Sequence, residues 1–163
     1  MQKNNILSNL IIENRPRLYR IAINILKNYI DAEDAVSEAT CKAYENFHKL
    51  KDIEKFKPWI IKILINEAYS ISNKRKKYVP LNDEIIVNNS DSEIIDNIIL
   101  WDAVQTLDEN FRVVAILFYY ENMSIKEISK ALTIPEGTVN SRLNRTRQKL
   151  KNIFLKEGVA LYE

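Results

Sequence analysis

The sequence predicts an all-α chain: two small helical domains joined by an acidic linker, the C-terminal one carrying a helix-turn-helix. Three observations carry this expectation. Only two glycines and four prolines occur in 163 residues, with Ile, Leu, Lys, Glu and Asn filling the long stretches between them, a composition that suits helices. Apolar residues recur at three- and four-residue intervals through most of the chain, the period of a helix with one buried face. From Tyr78 to Leu100 there are five acids (Asp83, Glu84, Asp91, Glu93, Asp96) and neither Lys nor Arg, with the polar run Asn88-Asn89-Ser90-Asp91-Ser92 inside it. Such a stretch reads as a tether between domains. The boundaries that follow are 1–77, 78–92 and 93–163.

The first helix is expected over Ile6 to Lys27. Leu10, Ile11, Leu18, Ile21, Ala22, Ile25 and Leu26 supply its core face. Pro16 should interrupt or bend it, since proline lacks the N–H and crowds the preceding turn. Asp31 is the expected cap of the next helix, DAEDAVSEATCKAYENF. Ala32, Val36, Ala39, Ala43 and Phe47 form its apolar stripe, and Asp34, Glu38, Cys41 and Glu45 gather opposite. An acidic face suits a basic protein partner rather than a polyanion. The stretch FHKLKDIEKF loses helical rhythm and reads as a loop.

Pro58 opens a long helix, PWIIKILINEAYSISNKRKK, with Ile60, Ile63, Leu64 and Ile71 expected toward the core. Lys62, Asn66, Tyr69, Asn73 and Lys76 collect on its other side, ending in Lys74-Arg75-Lys76-Lys77. Aromatic rings can stack on unpaired bases while lysines follow the backbone. After the linker, helix resumes near Ser92 and Glu93 and runs through Trp101. Another begins at Leu107-Asp108-Glu109-Asn110, and its run FRVVAILFYY is apolar nearly all round, so it should form the core of the second domain.

The stretch SIKEISKALTIPEGTVNSRLNRTRQKL then supplies a short helix, a break and a longer basic helix. Ser124 and Glu127 have capping-box spacing, and Pro135 stands where a missing N–H costs nothing. At about 100° per residue, Val139, Leu143, Thr146 and Leu150 fall in one stripe roughly 60° wide. Ser141, Asn144, Arg145 and Gln148 lie opposite, flanked by Asn140, Arg142, Arg147 and Lys149. Between Glu136 and Lys156 there are six cations and one acid. An ordinary solvated face mixes both signs. Amides and guanidinium groups over a narrow apolar seam are what a major-groove reader needs.

Composition excludes several classes. Cys41 and His48 are the only residues of their types, so no internal disulfide is possible and zinc ligands are lacking. No cofactor is implied. Gly-rich phosphate loops and Ser/His/Asp constellations are missing, which argues against an enzyme. No apolar run nears the roughly 18 residues of an integral membrane segment, and no signal-peptide pattern opens the chain, so a cytoplasmic location is expected.

The order of parts resembles a bacterial extracytoplasmic-function (ECF) sigma factor, within the family of the primary sigma factor. Three stretches carry the likeness, which covers nearly the whole chain: DAEDAVSEATCKAYENF, PWIIKILINEAYSISNKRKK and SIKEISKALTIPEGTVNSRLNRTRQKL, with Ala32-Glu33-Asp34, W-I-x-K-I-x-x-N from Trp59 to Asn66 and P-E-G-T-V-x-S-R-L from Pro135 to Leu143 within them. The resemblance implies a protein that binds core RNA polymerase, directs it to promoter DNA, and is controlled by an anti-sigma factor. It implies polymerase contacts for Asp34, Glu38 and Glu45. It implies minus-ten contacts for Lys49, Lys51, Lys55 and Phe56 in the loop that captures a flipped base. On the following helix Trp59, Lys62, Asn66, Tyr69, Asn73, Lys74 and Arg75 join them. For the minus-thirty-five element it implies Asn140, Ser141 and Asn144 as base readers, with Thr138, Arg142, Arg145 and Lys149 beside them. The linker matches the segment that passes through the polymerase cleft.

Three positions depart from the family pattern. Ser37 stands for a common Gln, and Ser70 for a common Asp. Thr133 stands for a turn Gly, so the turn is expected to differ, because a β-branched residue is ill-suited to positive φ. Asn140 and Asn144 would favour adenine edges if they bind bidentately. Two rival functions remain: a stand-alone helix-turn-helix transcription regulator, and a helical antiterminator that binds RNA without promoter preference.

Overall fold

The structure, a computed structural model, describes residues 2–78 and 95–158. The expected linker beyond Tyr78 and the helix start at Ser92 and Glu93 lie outside the described residues. Among those described, every regular element is helical. They fall into two compact units, one built on three helices and the other on four.

In the first unit, α1 (Gln2–Leu26), α2 (Tyr29–Asn46) and α3 (Phe56–Tyr78) pack pairwise against one another. Pro16 lies inside α1 without ending it. Both Pro16 and Ile12, whose carbonyl loses its usual donor, are on the exposed side, where water can replace the lost bond. The helix stops at Lys27, which takes a left-handed φ of 52°. That reversal moves the cap of α2. Asn28 is extended and its side chain accepts from the Asp31 N–H at 2.9 Å, so Asn28 rather than Asp31 caps the helix. Asp31 sits in the first turn instead, accepting from Arg75 Nη1 at 2.7 Å.

Leu7, Ile11, Leu18, Ile21, Ala22 and Ile25 of α1 are buried against the stripe Ala32, Ala35, Val36, Ala39 and Ala43 of α2 and against α3. Alanines let the helix axes approach closely, and the larger side chains of α1 and α3 fill the space. On α3 the buried residues are Ile60, Ile61, Leu64, Ile65 and Ala68. Ile63 and Ile71, expected in the core, are only half-buried. The core face is thus turned toward Ile61 and Ile65, and the expected loop before it is two short 3-10 turns, Phe47–Lys49 and Ile53–Lys55. Helix α3 begins at Phe56, two residues before Pro58, which sits harmlessly in the first turn.

The second unit holds α4 (Ile95–Gln105), α5 (Glu109–Ala115), the start of α6 (Ile125–Leu132) and α7 (Glu136–Lys156). Helix α5 runs directly into a π-helical turn, Ile116–Tyr120. Val113 to Leu117 are buried, as an all-round apolar run requires. The π turn then swings Tyr119 outward to 42% exposure. Ser124 and Glu127 form the reciprocal capping box: the Ser124 N–H donates to Glu127 Oε2 at 2.8 Å, and the Glu127 N–H donates to Ser124 Oγ at 3.1 Å.

Helix α6 ends in a Schellman arrangement, the Ile134 N–H donating to the Ser129 carbonyl at 3.1 Å. Thr133 sits at the left-handed position with φ 55°. The turn therefore keeps the glycine-type backbone that a β-branched residue was expected to alter. Seven residues on from the close of α6, Val139 starts the buried seam of Val139, Leu143, Thr146 and Leu150, and α5 packs against α7.

Candidate nucleic-acid interface

Helix α7 presents its polar face as the sequence pattern requires. Pro135 is its N-cap, and its carbonyl accepts from the N–H groups of Thr138 at 3.0 Å and Val139 at 3.2 Å. The buried seam fixes rotation about the helix axis, so Asn140, Ser141, Asn144, Arg145 and Gln148 are exposed together, with Thr138 and Arg142 half-buried at the edge.

Two cations of this helix are held by aromatic rings. Lys149 Nζ lies 5.1 Å from the centroid of Phe111 on α5, a cation–π distance. Arg147 donates from Nε to the Tyr119 hydroxyl at 2.8 Å and from Nη1 to Asn144 Oδ1 at 3.0 Å. Its guanidinium carbon is 6.0 Å from the Phe118 centroid. Sequence reading placed Arg147 on the flank and Tyr119 in the core, and assigned neither to the site. The Asn144–Arg147 spacing of three residues was visible in the sequence. The link to Tyr119 depends on the π turn, which leaves no sequence signal.

In the first unit the structure separates the expected minus-ten residues. Lys51 and Lys55, before α3, and Lys62, Asn66, Asn73 and Lys74, on it, are exposed, and Tyr69 of α3 is half-buried. Lys49 is exposed and donates to Asn46 Oδ1 at 2.7 Å. Phe56 differs from expectation. At 2% exposure it is part of the core, with Trp59 5.7 Å and Phe47 6.4 Å from its ring centre. It shapes the loop and props the half-buried Trp59; no base can reach its ring as it stands. Arg75 is likewise engaged, by the half-buried Asp31.

The acidic face of α2 is present: Asp34, Glu38, Cys41 and Glu45 are all exposed. One cation interrupts it. Lys42 pairs with Glu67 of α3, and that hydrogen bond, followed by the charges of Glu67, Glu38 and Glu45, holds its ammonium above the usual lysine range. Near the start of the same helix, burial first and then a hydrogen bond to Glu33 raise the Tyr19 phenol. Among the described residues, no group of His, Cys, Asp and Glu could hold a metal ion, and no helix is long and apolar enough to cross a membrane.

Comparison with known proteins covers both units. Residues 10–78 match the family model for Sigma-70 region 2, and residues 98–150 that for Sigma-70, region 4. The chain is 27% identical over 152 residues to RNA polymerase sigma factor SigV of Bacillus subtilis, spanning 92% of each chain. It is 29% identical over 154 residues to the ECF RNA polymerase sigma factor SigW of the same organism, spanning 84% of this chain and 82% of that one. Among solved structures, the sigma factor RpoE in complex with the anti-sigma factor NepR, from Bartonella quintana, shares the fold. Its TM-score is 0.74 at 23% identity, over 94% of this chain and 98% of that one. CnrH in complex with the cytosolic domain of CnrY gives a TM-score of 0.64 at 18% identity, over 93% and 88%.

Proposed function

Because the chain belongs to the ECF sigma factors of the sigma-70 family, we propose that its charge-sorted surfaces divide the work of an RNA polymerase sigma factor. Core polymerase binding falls to Asp34, Glu38 and Glu45 on α2, and promoter recognition to the exposed faces of α3 and α7. The boundaries are 1–77 for polymerase and minus-ten binding, 78–92 for the acidic linker, and 93–163 for minus-thirty-five binding. The observation that carries this reading is the exposed row Asn140, Ser141, Asn144 and Arg145 above the buried seam of α7.

In the first unit, Lys51, Lys55, Lys62, Asn66, Tyr69, Asn73 and Lys74 line the strand path. Trp59 stands on Phe56 at its entrance. Unstacking a base costs a few kcal/mol, which a protein pocket and backbone contacts can offset. The chemistry of RNA synthesis stays with the polymerase, and the protein works in the cytoplasm beside it. An anti-sigma factor that covers the same charged faces would hold it inactive until a stress or envelope signal arrives. That the solved RpoE is bound to an anti-sigma factor, and CnrH to the cytosolic domain of CnrY, supports this part.

The test is run-off transcription with purified core polymerase and promoters selected from a random library. The expected result is specific initiation with this chain as sole specificity factor. A chain that bound such promoters yet required another sigma factor for transcripts would be a stand-alone regulator, and this reading would fall.

A further inference from the structure

The next step rests on α7 as the base-reading helix. Within it, the amide of Asn144 is oriented before any DNA arrives. Arg147, one turn on, donates to Asn144 Oδ1 at 3.0 Å. A guanidinium has donors only, so the bond settles which end of the amide is which: oxygen toward Arg147, amino group away from it. Arg147 is itself held from another side, donating from Nε to the Tyr119 hydroxyl at 2.8 Å with the Phe118 ring beside it. Tyr119 reaches it from the π turn that follows α5, and an edge contact at 5.0 Å from Phe118 steadies its ring. The planar fork of arginine thus bridges the domain core to a base reader.

We propose that Tyr119 and Arg147 are positioning residues that set the base preference of Asn144, making its amide a donor that selects guanine over adenine at the facing base pair. Bidentate reading of adenine needs the amide oxygen to accept from N6–H while the nitrogen donates to N7. With the oxygen turned toward Arg147, the amino group is left to meet the base. Guanine offers two adjacent acceptors, N7 and O6, whereas adenine sets its own N6 donor against the amide. The preference for adenine that an isolated asparagine suggests is reversed by its neighbour.

The experiment uses the full chain with core polymerase and a promoter library randomised across the minus-thirty-five element, sequenced before and after binding. The expected wild-type result is a guanine preference of about fivefold or more at one position, the low end of what a matched base contact gives. Asn144→Ala should abolish it. Arg147→Leu should shift the ratio toward adenine by a similar factor. Tyr119→Phe should shift it in the same direction by less, with an unchanged salt slope, since no charge is lost. All three side chains are at least two-fifths exposed or lie on the open face, so folding is not at stake. A wild-type preference for adenine overturns the proposal. So does a guanine preference lost in Asn144→Ala but intact in both Arg147→Leu and Tyr119→Phe. If Asn144→Ala and Arg145→Ala leave the whole selection unchanged, α7 is not the reader, and the underlying reading falls with it.

Discussion

Replacing Thr133 by glycine should stabilise the helix-turn-helix, because the structure holds this residue in the left-handed region. Thr133 follows the last residue of α6 at φ 55°, where a non-glycine backbone costs on the order of 1–3 kcal/mol. Its side chain is exposed, so truncation gives up no packing. Glycine brings its own penalty, about 0.4–1 kcal/mol of extra freedom in the unfolded chain. The difference leaves a net gain of about 0.5–2 kcal/mol. The Schellman bond from Ile134 to Ser129 and the Ser129 hydroxyl donating to the Ile134 carbonyl at 2.5 Å remain available to the variant. The assay is thermal unfolding read from Trp101, in a Trp59→Phe background so that the second unit reports, which holds the start of α6 and both partners of the Ile134–Ser129 bond. For a unit of this size a gain of 1 kcal/mol raises Tm by about 4–8 °C. Thr133→Ala, which loses the β-branch but keeps Cβ, should fall between. A Thr133→Gly midpoint at or below that of the parent would refute the claim that the turn is strained.

Four further outcomes are expected. Arg145→Ala should weaken promoter binding at every sequence and lower the salt slope by about one, while Asn144→Ala alters base preference more than affinity; gel shifts with reconstituted holoenzyme at several salt concentrations check both. Asp34→Lys should weaken core polymerase binding, since like charges brought together at an interface cost on the order of a few kcal/mol; an unchanged affinity in a titration would remove α2 from that interface. Ser124→Ala should cost about 1 kcal/mol of stability in the second unit and Ser124→Gly only a few tenths, measured by the same Trp101 unfolding. Arg75→Ala should lower the stability of the first unit, seen as earlier thermal unfolding of α2 and α3, and leave the salt slope of promoter binding nearly unchanged.

The residues that were legible share a property: their positions follow from helical period alone. Val139, Leu143, Thr146 and Leu150 are all buried, because a seam repeated over about three turns averages out local accidents. The alanine stripe of α2 follows for the same reason. What the period could not supply was the phase of α3, where Ile60, Ile61, Ile63, Leu64 and Ile65 are nearly continuous. A run apolar on all sides has no preferred face until its neighbours choose one, and α1 and α2 choose Ile61 and Ile65 over Ile63 and Ile71. The cap of α2 was set by the local backbone. With Lys27 in the left-handed region, Asn28 becomes the first extended residue, and Asp31 is released to bind Arg75.

That pair shows why a count of cations overstates what the protein offers to DNA. Arg75 belongs to a run of four cations, yet its charge is compensated by a carboxylate of the same unit, with both side chains partly shielded. Exchanging Asp31 for a phosphate would release little counterion and leave a half-buried acid alone. Lys149 keeps its charge but is steered by Phe111, and Arg147 commits two of its donors to Tyr119 and Asn144. The exposed Lys51, Lys55, Lys62, Lys74 and Arg145 are therefore the better candidates for phosphate. The engaged cations hold elements and amides in place. On the proposed reading, affinity and selectivity would rest on different arginines of one helix, the exposed Arg145 on the phosphate backbone and Arg147 on the orientation of the Asn144 amide.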